Sequence, residues 1–216
     1  MIPEEKTFSH WYRRAIHAFS AIFLVYYIFP DVYWITVTKK CVVILTVAVF
    51  AVFEVMRIRK LIKNRKIFGL REYEENRFGS YLYFGIGAAI LLLFFPQQIA
   101  IPSILGAAFV DPAIGELRGK TGKMTAYIAG FTLSLFFFSF TWFNAPFPFP
   151  FIAPVIGASG AVVGEIKKFR WVDDDLLIQL IPAVLLGILY LLTSLFGVTF
   201  LPSEIIHPLP PPPWLV

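Results

Sequence analysis

An uninterrupted apolar run near the C-terminus reads Leu176-Leu-Ile-Gln-Leu-Ile-Pro-Ala-Val-Leu-Leu-Gly-Ile-Leu-Tyr-Leu-Leu-Thr-Ser-Leu-Phe-Gly-Val-Thr-Phe200. It carries no charged side chain, and it exceeds the roughly 20 residues that a membrane-crossing helix needs. Six further apolar stretches precede it, at residues 15–29, 41–55, 81–95, 99–114, 124–143 and 151–163. The pattern predicts an all-α polytopic membrane bundle with about seven transmembrane helices.

The composition excludes a soluble domain. Hydrophobic residues make up 58% of the 216 residues and charged residues only 15%, whereas soluble domains carry about 25% charged residues. We expect a single transmembrane domain over residues 1–200. The proline-rich tail over residues 201–216 should extend outside the membrane, with polyproline II over residues 208–213.

The fourth and sixth apolar stretches are short and interrupted by proline. Pro102, Asp111 and Pro112 break the fourth, and Pro154 breaks the sixth. Taken alone, either stretch also fits a re-entrant segment or half-helix. The distribution of basic residues favours seven crossings, because 17 of the 19 Lys and Arg then lie on one side of the membrane. By the positive-inside rule that side is cytoplasmic and contains the N-terminus.

Acidic residues stand beside this apolar sequence at two places. Asp111 lies inside the fourth stretch, and Asp173-Asp174-Asp175 precedes the seventh. Acids near hydrocarbon are costly and usually functional. One acid suffices to cap a helix, so three indicate a further role, such as binding Mg²⁺ together with substrate phosphates. The alternatives are a buried ion pair for Asp111 and helix-dipole stabilisation for the other three.

A basic, glycine-containing segment follows Asp111 and reads Gly115-Glu-Leu-Arg-Gly-Lys-Thr-Gly-Lys123. It is not a Walker A motif, because three residues rather than four separate its first two glycines and no strand precedes it. We predict a flexible loop that offers backbone N–H groups and basic side chains to phosphates. The alternative is an ordinary basic loop in which Gly115 and Gly119 pack against another helix.

Three local pairs complete the candidates. Arg13-Arg14-Ala-Ile-His17 opens the first span and places Arg13 and His17 on one helix face, where His17 is either structural or a substrate contact. Glu54 lies three residues before Arg57, and Glu165 lies three residues before Lys168. We interpret both glutamates first as members of local ion pairs.

These motifs, in this order, resemble the CTP-dependent polyprenol kinases, the family of dolichol kinase and phytol kinase. The resemblance covers residues 13–182 and rests on three segments. They are the Arg-Arg-x-x-His opening, the Asp111 to Lys123 segment, and Glu165 followed by Asp173-Asp174-Asp175-Leu-Leu. Val110 stands where the family has glycine, and Asp175 where it has asparagine.

The resemblance implies a lipid kinase that transfers the γ-phosphate of CTP to the hydroxyl of an isoprenoid alcohol of the dolichol, polyprenol, phytol or geranylgeraniol type. It implies catalytic roles for Asp111 and His17. The implied ligands of Mg²⁺ or another divalent cation are Asp111, Glu116, Asp173, Asp174 and Asp175. The implied nucleotide and phosphate contacts are Arg13, Arg14, Gly119, Lys120, Gly122, Lys123 and Lys167.

The lipid tail would lie against the glycine-rich part of the sixth stretch, where small residues leave room or let helices close up. The expected partners are CTP, the isoprenoid alcohol and membrane lipids, with no nucleic acid. The small size is similar to prokaryotic members, which implies a prokaryotic cell membrane with a cytoplasmic active site.

Two alternatives remain open at this stage. A CTP-dependent cytidylyltransferase that makes a CDP-lipid would use the same acids and basic residues. A cation-binding transporter would instead place the acids deep within several spans.

Overall fold

The computed structural model describes residues 4–62, 76–166, 172–198 and 200–211, which are helical apart from turns, short links and the C-terminal segment. The helices are α1 (Glu4–Phe19), continued by a 3-10 segment (Ser20–Tyr27), α2 (Tyr33–Ile58), α3 (Ser80–Phe94), α4 (Gln97–Leu105), a π-helical segment (Gly106–Val110), α5 (Asp111–Thr121), α6 (Lys123–Trp142), α7 (Phe149–Ile166) and α8 (Asp174–Leu195). The prediction of an all-α membrane bundle is confirmed.

Each of the seven predicted apolar stretches contains a helix that covers most of its length. Five helices are long and apolar enough to cross a membrane: Tyr33–Ile58, Gln97–Thr121, Lys123–Trp142, Phe149–Ile166 and Asp174–Leu195. Two apolar helices are shorter, Arg14–Tyr27 and Ser80–Phe94. The fourth and sixth stretches are continuous helices of 25 and 18 residues. They are therefore not the half-helices that their prolines also allowed.

The glycine-rich part of α7 is a close-packing surface against α6 and α8. A Cβ at Gly164 would lie 2.6 Å from the Leu177 carbonyl, and a Cβ at Gly160 would lie 2.8 Å from the Cα of Pro182. A Cβ at Gly157 would meet the Phe138 ring at 2.5 Å. These glycines bring helices together. Of the two roles expected of these small residues, the structure shows helices that close up, because neighbouring helices fill the space beside the three glycines.

One end of the bundle, which we call the far end, is closed by aromatic and amide side chains. Trp142 and Phe149 both contact the ring of Phe200, and the Trp142 indole donates a 2.9 Å hydrogen bond to the Gln98 carbonyl. The C-terminal segment packs here as well. Gln97 Nε2 donates to the Ile206 carbonyl, and the Ile206 N–H donates back to Gln97 Oε1 at 2.9 Å.

This part of the tail is thus bound to the bundle instead of extending freely from it. The domain boundary at residue 200 stays a prediction.

The opposite end, which we call the acidic end, holds the start of α3 and the end of α2. Buried Glu54 forms a two-pronged ion pair with Arg57 at 2.7 and 2.8 Å. It also accepts a 2.7 Å hydrogen bond from the Gly79 N–H and one from the Tyr81 hydroxyl. We call these contacts the Glu54 network. The predicted local pair between Glu54 and Arg57 is confirmed, and the network fastens α2 to α3.

Candidate active site

Acidic residues from three helices and a histidine from a fourth meet at the acidic end. Potential ligand atoms of Asp111, Glu165 and Asp174 lie within 4.8 Å of one another, and so do those of His17, Asp111 and Asp175. Asp111 belongs to both groups, which places it at the centre of the site. We call Asp111, Glu165 and Asp173–Asp175 the acid cluster. Motifs that are far apart in sequence are therefore neighbours in the fold.

The π-helical segment Gly106–Val110 directly precedes Asp111 and Pro112. Proline cannot donate the backbone hydrogen bond of a regular helix, and its ring crowds the preceding turn. A wider π turn accommodates that defect, and such turns are frequent at functional sites. The helix therefore continues through Pro112 and carries Asp111 to a defined position about 15 Å before its end at Thr121.

The three consecutive aspartates have different surroundings. Asp173 is the N-cap of α8, and its carboxylate accepts a 3.0 Å hydrogen bond from the Asp174 N–H. Asp174 is partly buried, whereas Asp175 is only 3% exposed. One acid thus serves as the cap, as the sequence suggested. The positive end of the α8 dipole favours the negative charge of the other two.

His17 reaches the cluster from α1. Its Nδ1 lies 3.9 Å from Asp175 Oδ1, and its ring packs edge-on against Phe84 at 5.8 Å between centroids. The imidazole therefore has a carboxylate on one side and an apolar wall on the other. In this position a histidine can orient a hydroxyl that approaches from the apolar side, or it can accept the proton of that hydroxyl.

Glu165 pairs with Arg118 of α5, and Lys168 lies outside the described residues. Glu165 is 2% exposed, and its Oε2 has no hydrogen-bond partner within the described residues. Arg118 also lies over the ring of Tyr127 at 5.4 Å. A buried carboxylate oxygen without a donor is costly, so Glu165 is suited to a cation in addition to Arg118.

The chemistry of this donor set fits a hard divalent cation. Mg²⁺ prefers oxygen ligands, takes one or two carboxylates from the protein and completes its shell with phosphate oxygens and water. Asp111, Glu165 and Asp174 supply such oxygens from three helices, and Glu165 Oε2 is available. Among the described residues, the converging groups of potential ligands do not include Glu116.

Glu116 instead joins two basic residues at the rim of the site. It forms ion pairs with Arg14 of α1 and with Lys120 one helical turn further along α5. Lys120 is largely exposed and Lys123 is exposed at the start of α6. The rim therefore presents positive side chains to water beside a buried acidic centre.

The predicted flexible glycine loop is wrong, because residues 115–121 continue α5. Their backbone N–H groups are used within the helix, so they form no cradle for phosphates. The alternative packing role of Gly115 and Gly119 gains no support either, since no atom of the described residues lies within 4 Å of a Cβ built at either glycine. Gly122 alone joins α5 to α6, at a φ of +92° that favours glycine.

Two predicted phosphate contacts fall outside what the structure describes, namely Lys167 and the side chain of Arg13.

The sequence analysis did not identify two residues that contact the site, Arg118 and Gln179. Arg118 lies in the segment that the sequence predicts as a loop, and its partner Glu165 is 47 residues away in the sequence. Gln179 is fully buried and donates to the carbonyls of Phe84 at 3.2 Å and Asp175 at 2.9 Å. The sequence signal for Gln179 was its polar amide in an otherwise apolar helix, four residues after Asp175 and therefore on the same helix face.

No protein-family model matches the chain, and no solved structure matches it. The chain is similar to CTP-dependent diacylglycerol kinase 1 of Schizosaccharomyces pombe, with 28% identity over 138 residues. The match covers 54% of this chain and 63% of that protein, so it spans less than two thirds of the relative. The similarity is thus to a lipid kinase whose named acceptor is diacylglycerol, not an isoprenoid alcohol.

Proposed function

We propose that the chain is a CTP-dependent lipid kinase that phosphorylates the hydroxyl of a lipid alcohol within the membrane. One observation carries this proposal: His17, Asp111, Glu165 and the Asp173–Asp175 run converge at one end of the bundle. These residues belong to the three segments that resemble the CTP-dependent polyprenol kinases. The similarity to a CTP-dependent diacylglycerol kinase supports the same activity independently.

The chemistry is an in-line displacement at phosphorus. The acceptor oxygen forms a bond to the γ-phosphorus of CTP as the bond to the β–γ bridging oxygen breaks, and CDP and a lipid monophosphate result. Such a transfer depends mainly on positioning and charge neutralisation. His17, held beside Asp175, accepts or orients the hydroxyl proton.

Asp111, Glu165 and Asp174 would hold Mg²⁺, with Asp173 and Asp175 alongside. The ion would neutralise charge on the transferred phosphoryl group. Arg118 holds the Glu165 carboxylate in place from α5. Glu116 is assigned to the rim, where it positions Arg14 and Lys120.

The nucleotide approaches from water at the basic rim. Arg14, Lys120 and Lys123 would contact the CTP phosphates there, because charged donors form the stronger hydrogen bonds to phosphate. Arg13, Gly122 and Lys167 stay predicted contacts, whereas the N–H of Gly119 is used within α5. The acids beneath the rim would then lie where the γ-phosphate meets the membrane-dissolved acceptor.

The acceptor class has two sources of support. The motif resemblance favours a long isoprenoid alcohol, and the fission yeast relative favours diacylglycerol. Both lipids have long hydrocarbon chains and one free primary hydroxyl. We put the isoprenoid alcohol forward as the first acceptor and diacylglycerol as the second.

The decisive assay uses purified protein, Mg²⁺, and CTP or ATP labelled at the γ-phosphate, with dolichol, phytol, geranylgeraniol and dioleoylglycerol as acceptors. We expect labelled lipid monophosphate and CDP with CTP. Pyrophosphate and a CDP-lipid would show the cytidylyltransferase instead, and cation uptake into proteoliposomes without nucleotide would show the transporter. Neither alternative gains support from the relative.

We also propose that the acidic end faces the cytoplasm, since the described basic residues Arg57, Arg59 and Lys123 lie at that end. After replacement of Cys41, Thr121→Cys should react only with reagents that enter the cytoplasm, whereas Ser203→Cys at the far end should react from outside. Both positions are exposed. Labelling of Thr121→Cys by an impermeant reagent on intact cells would reverse the topology. A prokaryotic cell membrane stays a prediction.

A further inference from the structure

A cavity of about 470 Å³ lies between α1 with its 3-10 extension, α2 and α3. This size is within the range of small-molecule binding pockets. Its walls are almost wholly apolar and include Phe19, Phe23, Val43, Val47 and Leu92. Gly85 of α3 has no side chain and Ala89 has only a methyl group, so both leave the space open.

The cavity has a polar wall where α1 meets the acid cluster. His17 lines the cavity and also lies 3.9 Å from Asp175. Ser20 and Ser80 line it as well. One side chain thus faces both the apolar space and the acids. A lipid in the cavity would place a terminal hydroxyl at His17, next to the proposed site of phosphoryl transfer.

The cavity is open towards the bilayer. Ile16, Phe19 and Ile22 line it and are 44%, 66% and 49% exposed, and Val42 across from them is 55% exposed. Helix α2 is the least buried of the five candidate spans. Of its most apolar 18 residues, 11% are buried inside the bundle, whereas the corresponding share in Gln97–Thr121 is 67%. A hydrocarbon chain can therefore enter sideways between α1 and α2 without crossing the polar rim.

We propose that this cavity binds one hydrocarbon chain of the lipid acceptor and presents the hydroxyl of that lipid to His17. The inference rests on the proposed kinase function and names the path and the pocket of its second substrate. The remainder of a longer chain lies in the bilayer. Apolar surface removed from lipid gains little by itself, so the polar contact at His17 selects an alcohol over other lipids.

Gly85 allows the cavity to be filled without disturbing the helices. Within the part of the chain that the structure describes, no atom lies within 4 Å of a Cβ built there, so a larger side chain extends into the cavity. The series Gly85→Ala, Gly85→Leu and Gly85→Trp should lower kcat/KM for dolichol or dioleoylglycerol stepwise, to about one tenth or less at Trp. Activity with the short soluble alcohol 3-methyl-2-buten-1-ol should stay within about twofold, because this alcohol needs only the polar end. The matched control is Ile188→Trp on the exposed face of α8, which should change neither activity.

A binding experiment separates the pocket from the reaction. A long-chain prenol with a diazirine in its hydrocarbon tail should label peptides of α2 and α3 in the wild type, and Gly85→Trp should abolish that labelling. Unlabelled dolichol and dioleoylglycerol form two competition arms that report which acceptor binds, and phosphatidylcholine is the control without a hydroxyl. Equal competition by phosphatidylcholine, or labelling confined to helices other than α1, α2 and α3, would overturn the proposal.

The two proposals fail in different ways. Saturable labelling of the cavity by the prenol without any transfer from CTP would remove the kinase and keep the pocket. Normal transfer to the long acceptors in folded Gly85→Trp would remove the pocket and keep the kinase.

Discussion

Two buried glutamates at the acidic end differ in how completely the protein satisfies them. Glu54 is 0% exposed, and both of its oxygens are bonded, to Arg57, the Gly79 N–H and the Tyr81 hydroxyl. Glu165 is 2% exposed and also pairs with an arginine, yet its Oε2 has no partner among the described residues. Asp111 and Asp174 lie beside Glu165, whereas the groups of potential metal ligands found among the described residues do not include Glu54.

The difference teaches how to separate structural from functional buried charge. A closed network has donors for each carboxylate oxygen and balances its charge, so it stabilises one arrangement of helices. A site that must bind a cation and phosphates keeps oxygens available and concentrates like charges at a cost in stability. Burial alone does not distinguish the two glutamates, whereas the count of donors around each does.

The largest loss of activity is expected at the centre of the acid cluster. Asp111→Asn should lower phosphate transfer by about 100-fold or more, equivalent to about 2.7 kcal/mol of transition-state stabilisation. Asparagine keeps the size of the side chain but loses the charge that Mg²⁺ requires. The measurement is transfer from γ-labelled CTP by protein that elutes as a single folded species. Full Mg²⁺-dependent activity in this variant would remove the acid cluster as the active site.

The next effect should appear in stability and not in catalysis. Glu54→Gln leaves the Arg57 side chain, only 2% exposed, without its counter-charge. Breaking a buried pair in this way costs about 3–5 kcal/mol. Unfolding of the detergent-solubilised protein measures the loss, and turnover per folded molecule should be unchanged.

The double variant Glu54→Gln with Arg57→Met removes both charges and should recover part of that stability. A drop in turnover of the folded Glu54→Gln protein, as large as that in an acid-cluster variant, would show that the Glu54 network is part of the site.

The same substitution at the other glutamate should have the opposite profile. Glu165→Gln should weaken Mg²⁺-dependent turnover about 10- to 100-fold, as expected for a residue that holds or supports a metal. Its stability loss should stay near or below about 1 kcal/mol, because the Arg118 side chain is 26% exposed and remains solvated. A Mg²⁺ titration of activity beside an unfolding curve tests both parts. Severe unfolding with normal Mg²⁺ dependence would make Glu165 a second structural glutamate.

The smallest effect is expected at the exposed rim. Lys120→Ala and Lys123→Ala should each raise the KM for CTP about 10-fold, since a charge-assisted contact contributes about 1.5–3 kcal/mol. Stability should change by less than about 0.5 kcal/mol. Lys40→Ala, at an exposed basic residue at the start of α2, is the matched control. An unchanged KM in both rim variants would leave these lysines as topology signals only.

Much of the fold could be predicted because it depends on local sequence. Apolar length predicted all seven helical segments, and the three-residue spacing predicted the pair of Glu54 and Arg57. The basic segment after Asp111 was wrongly predicted as a loop. Its glycines and charges are poor markers of a helix, but the helix that begins at Gln97 continues through the π segment to Thr121. Tertiary packing overrides weak local preference in this way.

The candidate residues His17, Asp111 and Asp173–Asp175 were recognised from sequence, because charge inside apolar sequence is costly wherever it falls. Their proximity was expected only from the family resemblance, which assigned Asp111 and the three aspartates to one Mg²⁺. Local sequence patterns could not predict it, since these residues come from three separate helices. The cavity beside His17 was likewise invisible, because it depends on the gap that α1, α2 and α3 leave between them.

By itself, the sequence determined that the chain is a helical membrane protein with its acids and most of its basic residues beside the ends of apolar segments. Only the tertiary structure decided which charges are partners. Arg118 pairs with Glu165 across 47 residues, and Arg14 pairs with Glu116 across 102. The physical reason is range: hydrophobicity and helical spacing act over a few residues, whereas an ion pair between helices forms only where packing brings their ends within a few ångströms.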